Sequence, residues 1–91
     1  YIITIDGREE EGAYSVTNEE GDQVLYMFEE EDDATRFALM LVDREYPQMS
    51  VMEVDSQLII KACDQNGYQY AVFTPNDIVI PPDEFDQNDF I

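Results

Sequence analysis

The sequence predicts a small α+β domain, in which a mainly antiparallel sheet of four to six strands carries two helices on one face. Three observations support this class. The 91 residues suffice for a single hydrophobic core. Several short segments are rich in β-branched and aromatic residues and alternate between apolar and polar positions, as strands do. Two other segments repeat their apolar residues at helical spacing, so we expect a ferredoxin-like or related two-layer sandwich.

Three strands are expected early in the chain. Residues 1–5 (YIITI) are β-branched and aromatic, and a turn follows them. Residues 13–17 (AYSVT) and 24–28 (VLYMF) alternate with a period of two. The short connection between these two segments contains Gly21 and leaves no room for a crossover, so we expect the two strands to form a hairpin.

A change of period after Phe28 predicts the first helix. Apolar residues then follow at positions i, i+3, i+4 and i+7: Ala34, Phe37, Ala38 and Leu41. This stripe indicates an amphipathic helix that runs to about Glu45, because Pro47 disfavours helical conformation in the residue before it.

A second helix is expected between two further strands. Residues 50–54 alternate like a strand, and residues 56–66 then place apolar side chains at helical spacing. Ser56 is the expected N-cap of this helix, and Gly67 is the expected end. Residues 68–74 (YQYAVFT) form the next predicted strand.

The predicted domain ends at two consecutive prolines. Residues 78–80 are expected to form a last short strand, and Pro81 and Pro82 close the domain after it. We therefore expect a single domain over residues 1–82, followed by an acidic and aromatic tail over residues 83–91.

Five consecutive acids, residues 29–33, separate a predicted strand from the first helix. Either Asp32 or Asp33 can act as the N-cap, and carboxylates there complement the positive end of the helix dipole. This local role is favoured, and the spacing matches no EF-hand, so no metal is predicted. The alternative is a partner-binding role for four of these acids: Glu29, Glu30, Glu31 and Asp32.

The charge of the chain excludes some classes of partner. With 22 acids and four bases, the formal net charge is −18. Nucleic acids and anionic membrane surfaces require clustered Lys and Arg, and the four bases are scattered along the sequence. No apolar run approaches the about 20 residues that span a bilayer, so only peripheral membrane contact is compatible with the sequence. We expect a protein partner with a basic surface.

The residues needed for catalysis are poorly represented. The chain contains no His, its glycines form no phosphate-binding loop, and its serines lie outside any nucleophile-elbow pattern. Neither an enzymatic activity nor a cofactor is predicted. The lone Cys63 has no second Cys to pair with, and a buried small residue is the favoured interpretation over a redox thiol.

Aromatic residues supply the candidate contact sites. Three tyrosines are predicted on the open face of the sheet, where they either contact a partner or complete the core: Tyr26, Tyr68 and Tyr70. The tail alternates acids with apolar residues, a pattern typical of segments that fold onto a basic, apolar groove. Its expected contacts are Phe85, Phe90 and Ile91, and a solvated terminus is the favoured alternative.

Several blocks of the sequence resemble a known family. They are VLYMFEEEDDATRFALML (24–41) with Tyr46 and Pro47, EGAYSV (11–16), GYQY (67–70) and DIVIPP (77–82). Together they resemble a small family of cyanobacteria and plastids, catalogued as domain of unknown function 3110. No catalytic motif is carried over. The resemblance implies an oxygenic photosynthetic cell, and thus the chloroplast stroma, the stromal face of the thylakoid or the cyanobacterial cytoplasm. A start at Tyr1 would be consistent with a removed transit peptide.

The sequence and this resemblance together favour one function. The expected protein is a non-catalytic, acidic protein-interaction module, an accessory or peripheral subunit of a photosynthetic complex. The alternative is a transient assembly or regulatory factor that uses Cys63 as a redox-sensitive thiol.

Overall fold

The structure is a computed structural model that describes residues 1–9, 12–79 and 90–91. It confirms the α+β class, with two helices among the described residues. The elements in chain order are β1 (Ile2–Ile5), β2 (Ser15–Thr17), β3 (Gln23–Phe28), α1 (Glu31–Asp43), β4 (Met49–Met52), α2 (Ser56–Asn66) and β5 (Gln69–Phe73).

The described strands form one two-stranded and one three-stranded sheet. β1 pairs antiparallel with β4, and the three-stranded sheet has the order β2-β3-β5. The predicted hairpin of β2 and β3 is confirmed, with Val16 opposite Val24. β5 pairs with β3 in parallel, because α1, β4 and α2 lie between the two strands in sequence and serve as the crossover.

Backbone hydrogen bonds connect the two sheets. The Tyr14 N–H donates to the Ile3 carbonyl over 2.7 Å, and the Phe28 N–H donates to the Tyr1 carbonyl over 2.8 Å. β1 therefore lies beside the start of the hairpin and the end of β3, so that the β1–β4 pair continues the three-stranded layer.

The two helices pack against opposite sides of these strands. In β3, Phe28 belongs to the hydrophobic cluster that contains the buried face of α1, whereas Leu25 and Met27 belong to the cluster that contains Cys63 of α2. Successive side chains of a strand point to opposite faces, so the two clusters lie on opposite sides. The sequence predicted both helices on one face of the sheet, and the structure corrects this part of the prediction. Local spacing shows that a helix is amphipathic but does not specify which side of the sheet it covers.

α1 uses the predicted apolar stripe but begins earlier than expected. Its buried residues are the four that the spacing predicted: Ala34, Phe37, Ala38 and Leu41. The N-cap is Glu30, not Asp32 or Asp33, and its side chain makes no capping hydrogen bond. A tertiary contact explains the early start, because the Glu29 N–H donates to the Phe73 carbonyl of β5 over 3.0 Å and fixes the chain just before the helix.

Tyr14 is the centre of the core on the α1 side. Its side chain is fully buried. The ring centroids of Tyr26, Phe37, Tyr46 and Phe90 lie 5.5 to 6.0 Å from its own. These edge-on and tilted contacts are each worth about 0.5–1.5 kcal/mol beyond the burial of apolar area.

α2 is held by fewer buried side chains. Cys63 is its one buried residue. The N-cap is Asp55 rather than the expected Ser56, because the Asp55 carboxylate accepts hydrogen bonds from two backbone N–H groups of the first turn, at 2.9 and 3.4 Å. The helix ends as predicted at Gly67, which adopts the left-handed conformation at φ 75°.

The segment after β5 differs from the prediction. Ile78 and Val79 lie in no strand, and Ile78 is 92% exposed. Ile80, most of the predicted tail and the domain boundary after Pro82 lie outside the described residues.

Phe90 and Ile91 pair with the residues that precede β2. Phe90 bridges Tyr14 in antiparallel fashion. The Ala13 N–H donates to the Ile91 carbonyl over 2.6 Å, and the Ile91 N–H donates to the Ala13 carbonyl over 2.9 Å. These two residues therefore act as a short extra strand beside the residues that precede β2.

Candidate interaction surface

β5 lies at the edge of its sheet. Within the described part of the chain it is hydrogen-bonded to β3 on one side and to no strand on the other. A strand edge of this kind presents unpaired N–H and C=O groups, to which an additional strand can pair. β5 contains no Pro and no Lys, the residues that commonly block such pairing.

Exposed apolar side chains cover one side of this edge strand. Tyr70 is 41% exposed and Val72 is 44% exposed, and their register opposite Leu25 and Met27 places both on the α2 side. Tyr68 precedes them at the same spacing of two residues and is 36% exposed. We call these three residues the β5 stripe: Tyr68, Tyr70 and Val72.

Carboxylates flank both ends of β5. At the start of the strand, the Gln69 side chain donates to the Asp22 carboxylate over 3.2 Å. At its end, the hydrogen bond between Glu29 and Phe73 brings the acidic run of residues 29–33 beside the strand. The stripe is therefore an apolar surface between two acidic regions, and the chain as a whole carries a formal charge of −18.

The acidic run itself has a structural position. The first turn of α1 contains three carboxylates, those of Glu31, Asp32 and Asp33, as the dipole argument requires. Asp33 forms an ion pair with Arg36 at 3.1 Å. The four acids predicted to contact a partner are all exposed: Glu29, Glu30, Glu31 and Asp32. Their partner-binding role stays a prediction.

The three predicted contact tyrosines do not form one surface. Tyr68 and Tyr70 belong to the exposed β5 stripe. Tyr26 lies on the α1 side of β3, half-buried, with its ring centroid 4.8 Å from that of Phe73 and 5.8 Å from that of Phe37. Tyr26 is thus part of the core, and alternation along the strands separates it from the other two.

The predicted tail contacts also pack inward. Phe90 lies against the α1-side cluster and Ile91 against the α2-side cluster, and both are half-buried. Their packing gives them a role in the fold, while contact with a partner stays a prediction. Phe85 lies outside the described residues.

Cys63 has the environment of a core residue. It is 3% exposed. Its burial, and secondarily the negative charge of Asp64, raise the pKa of the Cys63 thiol above its ordinary value of 9.0. Both effects disfavour the thiolate, which is the reactive form. The burial predicted for this residue is confirmed.

Val72 is the member of the β5 stripe that the sequence interpretation missed. It continues the spacing of Tyr68 and Tyr70, so the alternation of residues 68–74 could have identified it. The edge position of β5 had no comparable signal, because it depends on a parallel pairing between residues far apart in sequence.

The described residues form neither a metal-binding group nor a membrane-spanning helix. Among the described residues, no three or more His, Cys, Asp or Glu side chains are grouped so that they could hold a metal ion. Within the same residues, no helix has the length and apolar character that a membrane crossing requires.

Comparisons with known proteins identify the family. No curated protein matches the chain, and no solved structure matches it. A family model does match, over residues 1–83, and its description is "Domain of unknown function (DUF3110)". The match includes every block that carried the resemblance in the sequence. The chain therefore belongs to the DUF3110 family.

Proposed function

We propose that this chain is a non-catalytic protein-interaction module that binds a basic protein partner along β5. The observation that supports it is the edge position of β5, where no other described strand pairs with its outer side and the side chains of Tyr70 and Val72 are exposed. A partner segment in extended conformation would add a strand to the sheet and place its alternate side chains on the stripe.

The two parts of the surface have different energetic roles. Tyr is among the residues that most often dominate interface affinity, because its large ring buries apolar area at low entropic cost. The surrounding carboxylates attract a basic partner, raise the association rate and disfavour acidic competitors. Salt should therefore weaken binding only in part, because it screens the charges and leaves the apolar contact intact.

The family resemblance suggests which assembly contains the partner. We propose an accessory or peripheral role in a photosynthetic complex, on the stromal side of the thylakoid or in the cyanobacterial cytoplasm. This part of the proposal depends on the resemblance described above and not on the geometry of β5.

The alternative, a transient regulatory factor with a redox-sensitive thiol, is less well supported. It requires an accessible thiolate at Cys63, whereas this side chain is buried and its pKa is raised. The β5 surface requires no rearrangement of the fold to become accessible.

Size-exclusion chromatography of native cell extract across a salt series tests the proposal. The chain, followed by antibody, is expected to elute with a larger assembly at low salt and to remain there in part at high salt. Mass spectrometry of that fraction then identifies the partner. Elution at monomer size at every salt concentration would overturn the subunit role.

A pair of variants tests whether β5 is the contact. The double substitution Tyr70→Ala with Val72→Ala should weaken binding to the identified partner about tenfold or more. Leu39→Ala is the matched control, because Leu39 is 59% exposed and lies on α1, away from β5. Equal losses in the two variants would exclude β5 as the binding surface.

A further inference from the structure

A cavity of about 310 Å³ lies between α2 and the strands on its side of the sheet. Its wall is mostly apolar and comes from β1, β3, β4, α2 and residues outside these elements. Its larger apolar and aromatic side chains include Ile2, Leu25, Met52, Ile59 and Tyr68, and Cys63 also lines it. Ligand pockets in proteins have volumes of about 300–1,000 Å³, so the cavity is large enough for a small molecule.

Thr4 is the buried polar residue in the wall of this cavity, and because its hydroxyl oxygen has almost no accessible surface in the unliganded protein, a ligand must shift the neighbouring atoms to reach it. It lies on β1, two residues after Ile2 and on the same face, and it lines the cavity. The residue is 2% exposed, and its hydroxyl oxygen has no hydrogen-bond partner among the described residues. Leaving a buried hydroxyl unpaired costs free energy, and nearly all such groups in native proteins have a partner.

We infer that this cavity binds a small neutral molecule with an apolar body and one hydrogen-bonding group, which pairs with the Thr4 hydroxyl. The apolar wall would contact the body of the molecule. The hydroxyl can donate or accept, so an alcohol, a phenol or a ketone satisfies it.

Charge restricts the ligand further. Among the described lining residues, Glu9 is the one with a charged side chain, and it is exposed. Its carboxylate, in a chain with a formal charge of −18, repels an anionic ligand. A cationic ligand would lose its hydration in the apolar interior without a buried counter-charge. A neutral molecule meets neither penalty.

The volume of the cavity limits the size of the ligand. The volume is at the lower end of the range for ligand pockets and suits a molecule of about two fused rings. α2 forms one wall, and with Cys63 as its single buried residue this helix can shift to admit a ligand. The inference depends on the cavity beneath α2, whereas the proposed function depends on the edge of β5 with Tyr70 and Val72; Tyr68 belongs to both surfaces.

Two fluorescent probes that differ by one hydroxyl test the inference on the full chain. We expect 2-naphthol to bind saturably with one site per chain, and about two- to tenfold more tightly than naphthalene, as one hydrogen bond predicts. Thr4→Val should remove this difference and leave the affinity for naphthalene unchanged. Thr17→Val is the matched control, because Thr17 is an exposed threonine of β2, and it should preserve the difference.

A second pair of variants tests the location. Ala62 lines the cavity from α2, and Ala62→Phe should block it and abolish saturable binding of both probes. Lys61→Phe adds the same ring at the neighbouring exposed position outside the cavity and should leave binding within twofold of the original protein. Circular dichroism verifies that each variant is folded.

The inference fails under any of three results. One is the absence of saturable binding for either probe up to its solubility limit. Another is a preference for 2-naphthol that survives Thr4→Val. The last is probe binding that persists in a folded Ala62→Phe variant, since the probes would then occupy another surface.

Discussion

Gly12 and Ile91 are in direct backbone contact, and the absence of a side chain at Gly12 allows that contact. A Cβ atom at position 12 would overlap the carbonyl group of Ile91, and Gly12 also has φ 108°, a conformation that L-residues rarely adopt. Gly12→Ala should therefore lower the free energy of unfolding by about 3 kcal/mol, as measured by urea denaturation.

Gly21→Ala separates the two causes of this loss. Gly21 has φ 87°, yet a Cβ atom there would meet no other atom within 4 Å. This variant should lose only the conformational term, about 1–2 kcal/mol. Similar losses at both positions would show that the overlap of the added methyl group with Ile91 costs no free energy.

Thr4→Val is expected to stabilise the unliganded protein. The substitution replaces a buried hydroxyl, which has no partner among the described residues, with a methyl group of similar shape. The gain should be about 1 kcal/mol in the free energy of unfolding, because the cost of the unpaired hydroxyl disappears. Thr17→Val, at the exposed end of β2, should change the free energy of unfolding by less than about 0.5 kcal/mol. A loss of stability in Thr4→Val would indicate that the hydroxyl does have a partner.

Cys63 should make stability depend on pH in the alkaline range. Burial raises the thiol pKa in the folded state above the ordinary value of 9.0, so the unfolded chain ionises first. The contribution of the neutral thiol is complete below pH 9.0 and is lost as the pH rises through the folded-state pKa. Comparison with Cys63→Ala isolates this effect, because all other groups titrate alike in both proteins. Parallel stability curves between pH 9.0 and the folded-state pKa would contradict the burial of an ionisable thiol.

Neutralising Glu31 should lower the stability of the protein more than neutralising Glu19. Both are exposed, and both Glu31→Gln and Glu19→Gln remove one negative charge from a strongly acidic chain. Glu31 lies in the first turn of α1, where its charge also stabilises the helix dipole. Glu31→Gln should therefore be less stable than Glu19→Gln by about 0.3–1 kcal/mol at low salt. The difference should decrease as salt is added, and thermal unfolding at two salt concentrations measures it.

Local patterns predicted most of the secondary structure. The helical stripe from Ala34 to Leu41 identified the buried face of α1, and Gly67 identified the end of α2. Both signals act within a few residues, where spacing and backbone conformation are determined by the sequence itself. The errors at the N-caps were small, and at α1 a contact with β5 moved the start of the helix.

Long-range relationships were not predictable in the same way. The parallel pairing of β3 with β5 joins residues such as Tyr26 and Ala71, which share no local signal. The position of α2 on the side of the strands opposite α1 also depends on contacts between residues far apart in sequence. The same is true of the pairing of Phe90 with Tyr14. The candidate surface and the cavity both depend on these contacts, so neither could be located from spacing alone.

The division of the interior into two clusters has a dynamic consequence. α2 covers the smaller cluster and contributes only Cys63 to it as a buried side chain, so its detachment would expose that cluster and leave the aromatic cluster around Tyr14 closed. Amide hydrogens of α2 should then exchange with solvent through local opening, faster than those of α1, which require opening of the larger cluster. A ligand in the cavity beneath α2 would slow amide exchange in this helix specifically. Slower opening of α2, with no change in α1, would therefore indicate a bound molecule.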